Sequence, residues 1–153
     1  MSENKDALTN TEFNVIEIKY LPGSPRLEKI DVGDWIDLYT YEDAVLFKGD
    51  SKIVSLGVCM KLPKGYEAVV APRSSTFKRW GVIQTNSIGV IDGTYCGDDD
   101  VWGLPLYATR DVTIPKGTRL CQFRIQARQP DILFKEVDTL SDKSRGGFGS
   151  TGE

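Results

Sequence analysis

Three stretches of this chain hold residues suited to a phosphate chain and its attached base. In APRSSTFKRWG, Arg73 precedes Ser74 and Ser75 just ahead of a possible helix start. Free N–H groups at such a start attract anions, and an arginine fork adds a bidentate charged contact. A capped surface turn would use the same residues. In QTNSIGVIDGTYCGD, the extended run Ile88 to Ile91 leads into Asp92-Gly93. Asp-Gly is a favoured hairpin turn, so Asp92 is either a plain turn residue or a carboxylate at a pocket rim, with Tyr95 close by. In TRLCQFRIQ, Cys121, Phe123 and Ile125 alternate with Gln122 and Arg124. Strand periodicity sends the first set to the core and points Gln122 and Arg124 together to the other face. The chain then closes on SDKSRGGFGSTGE, with an arginine, a phenylalanine and hydroxyls among glycines. That tail has too little apolar surface to offset the entropy of ordering.

The elements that must position these residues read as short strands between turns. FNVIEIKYLPG alternates Ile16, Ile18 and Tyr20 with Glu17 and Lys19 before Pro-Gly stops it. AVLFKGD, KIVSLGVCMKLPKG, YEAVVAP, IGVIDG, DVWGLPLYA, DVTIPKG, TRLCQFRIQ and DILFKEV follow in the same rhythm. Pro-Lys-Gly recurs at 63–65 and 115–117, each time after a β-type run. Many short strands at this spacing predict an all-β sandwich or barrel. The one helix candidate is SSTFKRWG, capped by Ser74 or Ser75 and stopped at Gly81.

Composition narrows the chemistry. The length of 153 residues suits one domain with its own core. A net charge of −3 excludes the overall positive field of a general nucleic-acid binder, yet allows one anion in a local cationic pocket. There is no histidine, so His-built zinc sites and Ser-His or Cys-His dyads are excluded. Proton chemistry near neutrality falls to a carboxylate or to water. Cys59, Cys96 and Cys121 are odd in number and form no C-x-x-C pair, which points to a reduced, cytoplasmic protein. No apolar run reaches membrane-spanning length. Residues 1–10 are polar and expected to be loose, residues 1–140 to form the β-domain, and residues 141–153 to form a flexible arm.

Taken in order, these stretches resemble the five motifs of the trimeric dUTP diphosphatases (dUTPases), in a compact bacterial or phage form. IDVGDWIDLYT is similar to the first motif, APRSSTFKRWG to the second, NSIGVIDGTYCGD to the third, GTRLCQFRI to the fourth and SRGGFGSTG to the fifth. The resemblance implies a jelly-roll-like β-sandwich or distorted barrel with one short helix. It implies a homotrimer that shares its sites between subunits, the arm of one closing the site of a neighbour. By motif match, Arg73, Ser74 and Ser75 would hold the triphosphate, with Gln122 helping. Asp92 would orient the attacking water, and Asp37 would support the site from behind. Tyr95 would pack under the deoxyribose, and Asn86 with the backbone to Gly89 would read the uracil edge. In the arm, Phe148 would stack on the base while Arg145, Ser150 and Thr151 meet the terminal phosphates. The implied reaction is water attack on the α-phosphorus of dUTP, giving dUMP and diphosphate and keeping uracil out of DNA. Mg²⁺ would come with the phosphates and waters, without a protein cage. Some phage members of the family also bind regulatory proteins, so such a partner is expected if the chain is phage-derived, and a regulatory binding protein on the same fold is an alternative reading; nucleic-acid and membrane binding are not expected.

The chain departs from the family pattern at several points. D-W-I-D-L replaces the usual A-G-Y-D-L, Cys96 follows Tyr95, Cys121 precedes Gln122, and the fifth motif is compressed between Arg145 and G-F-G. A dCTP deaminase shares the fold and an Arg-Ser-Ser stretch, but its chemistry needs a glutamate soon after the third motif. Between Asp92 and Arg110 there is none; Asp98, Asp99 and Asp100 supply the only acid there, in what reads as a solvated loop.

Overall fold

The computed structural model describes residues 14–149 and Gly152. Eleven short strands and one helix run in the order β1 Glu17–Tyr20, β2 Ile36–Tyr39, β3 Ala44–Leu46, β4 Ser51–Ser55, β5 Val58–Lys61, β6 Tyr66–Pro72, α1 Thr76–Trp80, β7 Val82–Gln84, β8 Gly89–Ile91, β9 Gly103–Ala108, β10 Val112–Ile114 and β11 Arg119–Ala127. Every pairing is antiparallel. The larger sheets have the orders β2-β11-β6-β8 and β4-β9-β7, and two ribbons, β1-β5 and β10-β3, complete the set. The expected β-sandwich with one short helix is present. The strands do not close into a barrel; the ladder is broken into separate sheets.

Period-two patterning builds the core between these sheets. Leu104, Leu106 and Ala108 face inward from β9, Leu38 from β2, Val70 from β6, and Phe123 from β11. Trp102 lies edge-on to Phe123, with ring centroids 5.3 Å apart and planes at 81°, a favoured aromatic geometry. In β11 a register shift between Arg119 and Cys121 lets Leu120 and Cys121 both turn inward. Beyond that bulge the alternation resumes, so Phe123 is buried and Arg124 exposed.

The helix forms where expected and ends at Gly81, whose φ of 66° is the left-handed conformation common after a helix. Its start differs from the expectation. Ser75 sits at the cap position, but its side chain makes no capping bond. The buried Thr76 hydroxyl stabilises this turn instead. It accepts from the Arg73 N–H at 2.9 Å and donates to the Leu120 carbonyl at 2.8 Å, tying the turn to β11.

One predicted strand is absent. DILFKEV forms no strand, and Leu133 and Phe134 are more than nine-tenths exposed. Its apolar pattern needs a covering surface, and among the described residues none lies against it.

Thr76→Val keeps the shape of the side chain but leaves a buried donor and acceptor unpaired. The expected cost is about 1–3 kcal/mol, read in a thermal melt as a fall of roughly 2–12 °C for a chain of this size. An unchanged melting temperature would remove Thr76 from the account of this turn.

Candidate active site

The predicted residues fall into two groups on this chain. The first is cationic and is built by the pairing of β2, β11 and β6. Gln122 lies opposite Asp37 on one side and Ala71 on the other. Gln122 Nε2 donates to the Pro72 carbonyl at 3.2 Å, and Asp37 Oδ1 lies 3.1 Å from Arg73 Nε. Asp37 Oδ2 lies 3.9 Å from Arg119 Nη1. Asp37 therefore holds Arg73 from behind, through the inner nitrogen of the guanidinium. The outer nitrogens remain for an anion, one of them 3.5 Å from the Arg119 carbonyl. Ser74 lines a depression of about 480 Å³ with Arg73 and Phe77, and Ser75 follows at the helix cap.

The second group lines a cavity of about 370 Å³. Asn86, Gly89, Asp92 and Tyr95 all border it, against Val70, Ile91, Val101 and Trp102. A mostly apolar cleft with a few polar groups is the usual form of a small-molecule site. The Tyr95 hydroxyl donates to the Val101 carbonyl at 3.0 Å, which fixes its ring at the cavity edge.

Asp92 is held by its own turn. The Thr94 N–H donates to Asp92 Oδ1 at 2.8 Å, and the Thr94 hydroxyl donates to the same oxygen. These bonds, the hydroxyl's first, keep the Asp92 carboxyl below its usual pKa. It is an ionised carboxylate near neutrality, and Oδ2 is the oxygen open to a further donor such as a water. A group so far from neutral pH is a weak base.

Neither group contains the other. Arg73, Ser74, Ser75, Gln122 and Asp37 do not border the Asp92 cavity. Arg145 and Phe148 are exposed in an irregular tail and border neither depression, while Ser150 and Thr151 lie outside the described residues. Asp98 and Asp100 lie in the exposed loop expected for them. Asp98 faces Lys19 at 3.7 Å, and Asp100 accepts the Gly97 N–H. Cys121 is buried, and burial pushes its thiol well above the usual range, so it is inert packing.

Three contributing residues escaped the sequence reading. Thr94 was detectable as a hydroxyl two positions after Asp92, an Asx-turn spacing. Gln84 was detectable as a polar residue at an inward position of β7, two after buried Val82. Thr76 carried no such sign, because its partner Leu120 is distant in sequence.

Comparison with known proteins adds a family. The dUTPase family model matches residues 31–152. The chain is 56% identical over 138 residues to the SPbeta prophage-derived deoxyuridine 5'-triphosphate nucleotidohydrolase YosS of Bacillus subtilis (strain 168), covering 90% of this chain and 97% of that protein. It is 40% identical over 141 residues to the deoxyuridine 5'-triphosphate nucleotidohydrolase of Thermobifida fusca (strain YX), covering 90% and 78%. Among solved structures, a Staphylococcus bacteriophage 80alpha dUTPase mutant with dUpNHpp superposes with a TM-score of 0.76 at 20% identity, covering 92% of this chain and all of that one. A mutant dUTPase from phage phi11 of S. aureus, described with a structural Mg(II) ion, gives 0.71 at 18%, covering 84% and 100%. At these identities the two structures bear on the fold.

Thr94→Ala removes the larger of the stabilising bonds to the Asp92 carboxylate. Because the native value is lowered, those bonds hold the turn above the usual carboxylate range and are lost as pH falls through the lowered value. The variant's Asp92 midpoint moves up toward the ordinary carboxylate range, read by carbon-detected NMR titration. A midpoint unmoved by the substitution would refute this origin of the shift.

Proposed function

The chain belongs to the dUTPase family and is a deoxyuridine 5'-triphosphate nucleotidohydrolase; from that premise we propose how its residues divide the reaction. The observation that carries the proposal is the cavity bordered by Asn86, Gly89, Asp92 and Tyr95, an apolar slot with an ionised carboxylate at its rim. The nucleoside occupies this slot. Asn86 and the Gly89 backbone meet the uracil edge, and the fixed Tyr95 ring packs under the deoxyribose and leaves no space for a 2'-hydroxyl. The α-phosphorus then lies near Asp92.

Asp92 Oδ2 holds a water in line with the bond to be broken. The water oxygen bonds to the α-phosphorus as the bond to the bridging oxygen breaks, diphosphate departs, and the water's proton passes to Asp92 or to solvent. Positioning is the main contribution of so weak a base. The negative charge of the phosphates is met by Arg73, Ser74, Ser75 and Gln122. Asp37 acts one step back, by aiming Arg73.

The cationic group and the nucleoside slot are separate on one chain, which supports a homotrimer in which one subunit's Arg73 group faces a neighbour's Asp92 slot. The exposed Leu133, Phe134 and Leu140 support the same arrangement. The arm from Ser141 onward then closes a neighbour's site. Phe148 stacks on uracil, a contact worth roughly 1–3 kcal/mol, and Arg145, Ser150 and Thr151 reach the terminal phosphates. Closure excludes bulk water and strengthens every ionic contact inside.

Among the described residues, no three acid, histidine or cysteine side chains converge on one point that could cage a metal. Mg²⁺ enters with the substrate as Mg–dUTP, where it neutralises phosphate charge. Among the described residues no helix is long and apolar enough to cross a membrane. Cys59, Cys96 and Cys121 are free thiols, which supports a cytoplasmic setting.

Diphosphate release compared across dUTP, dCTP, dTTP and UTP tests the assignment; only dUTP should be turned over efficiently, and equal rates would overturn it. Asp92→Asn should lower turnover by about 10²–10⁴-fold with nucleotide binding retained by calorimetry; unchanged turnover would take Asp92 out of the mechanism. A chain cut after Asp142 should sediment as a trimer yet hydrolyse dUTP poorly. Full activity in that shortened protein would dispose of the closing arm.

A further inference from the structure

We propose that Gln84 is a positioning residue that sets which end of the Asn86 amide faces the nucleoside slot, and that it thereby favours a pyrimidine carbonyl over an amino group. The inference rests on the reading that Asn86 meets the base edge, and it goes one residue beyond it.

The argument starts from a group that cannot turn over. The Val70 carbonyl is backbone, fixed in β6 opposite Gly89. Gln84 Nε2 donates to it at 3.1 Å. A carbonyl accepts and never donates, so this contact fixes the nitrogen end of the Gln84 amide toward Val70. The same nitrogen donates its other hydrogen to Asn86 Oδ1 at 3.0 Å. A donor there requires an oxygen from Asn86, so the Asn86 amide is fixed in turn. Its Nδ2 is left as the free end, lying 3.7 Å from the position a Gly89 Cβ would take. Polarity thus passes from a main-chain carbonyl through two amides to the edge of the slot. An N–H₂ group there donates to a carbonyl on the base. It has nothing to accept from an exocyclic amine.

A second observation points the same way. Gln84 is buried, and its Oε1 has no hydrogen-bond partner among the described residues. An aliphatic side chain would fill this inward position of β7, as Val82 does two residues earlier, without stranding an acceptor. Turning the Gln84 amide over would not relieve the strain, since Oε1 would then oppose the Val70 carbonyl. A stranded buried oxygen calls for an explanation, and the orientation of Asn86 is one.

The test uses the full-length chain and compares kcat/KM for dUTP with that for dCTP, by diphosphate release. Gln84→Met and Gln84→Leu remove both donors at similar volume. The dUTP:dCTP ratio should fall about tenfold or more, the loss falling on KM for dUTP, since one oriented hydrogen bond is no longer assured. Asn86→Asp keeps an oxygen for Gln84 but presents oxygen to the base as well, so it should lower the ratio at least as far. If Asn86→Asp leaves the ratio unchanged, the base-edge reading of Asn86 fails and this inference with it. If Asn86→Asp lowers the ratio while both Gln84 variants melt cooperatively and keep it, the inference alone is overturned. If neither Gln84 variant gives a cooperative melt, Gln84 serves packing and the positioning role is withdrawn.

Discussion

The spacing of the cationic group depends on one strand. β11 is hydrogen-bonded on both sides, to β2 and to β6, so Gln122 is locked between Asp37 and Ala71. A slip of one residue would turn Phe123 out of the core and Gln122 into it, exchanging an aromatic buried against Trp102 for an unpaired amide. The core therefore enforces the register, and the register places Asp37 where it can hold Arg73. The bulge at Arg119–Cys121 belongs to the same arrangement. It lets Leu120 turn inward while its carbonyl accepts the Thr76 hydroxyl, joining the Arg73 turn to the strand. Strand, turn and helix start are thus one mechanical unit, though the strand is distant in sequence from the turn and helix start.

This unit also explains how an acidic chain can hold a highly anionic substrate. A net charge of −3 gives no general attraction, so the cations must be local and aimed. Arginine suits this because one planar guanidinium can serve two anions at once. Arg73 meets Asp37 through Nε, and in the proposed reading its outer nitrogens meet phosphate. A lysine could not divide its charge in this way. Asp37 limits the wandering of a long side chain before the substrate arrives, at the cost of part of the positive field.

Much of this was legible before any coordinates, and the exceptions have physical causes. TRLCQFRIQ alternates cleanly because one of its faces is core, so the outward placing of Gln122 and Arg124 could be read directly. Gly81 was readable as a helix stop because few other residues adopt its φ readily. The cap position falls on Ser75 as read, but its side chain makes no capping bond. Local sequence offers three hydroxyls in a row, and burial against Leu120 selects Thr76. DILFKEV has a strand's pattern and no strand. Apolar alternation states that a face requires covering, but it does not say by what, and β pairing is decided by the partner as much as by the segment. The role proposed for the tail comes from its motif alone; its described residues 141–149 are exposed.

The deeper limit concerns direction. A sequence states that residue 86 is an asparagine, and both ends of that side chain have nearly the same shape. Whether a slot offers N–H₂ or C=O to a base is decided by hydrogen-bond polarity, and polarity must be anchored on something that cannot rotate. Side chains cannot anchor one another, since a ring of amides can reverse together. A main-chain carbonyl in a paired strand can, because reversing it would break the sheet. Val70 is such an anchor, reaching Asn86 through a glutamine whose position in β7 looks like a patterning fault. Asp92 is managed in a comparable way. The backbone N–H of Thr94, fixed by the turn, takes Oδ1 and so leaves Oδ2 open to a further donor, the water of the proposed mechanism. In both cases the backbone orients a side chain, and the side chain presents one chosen atom to the chemistry.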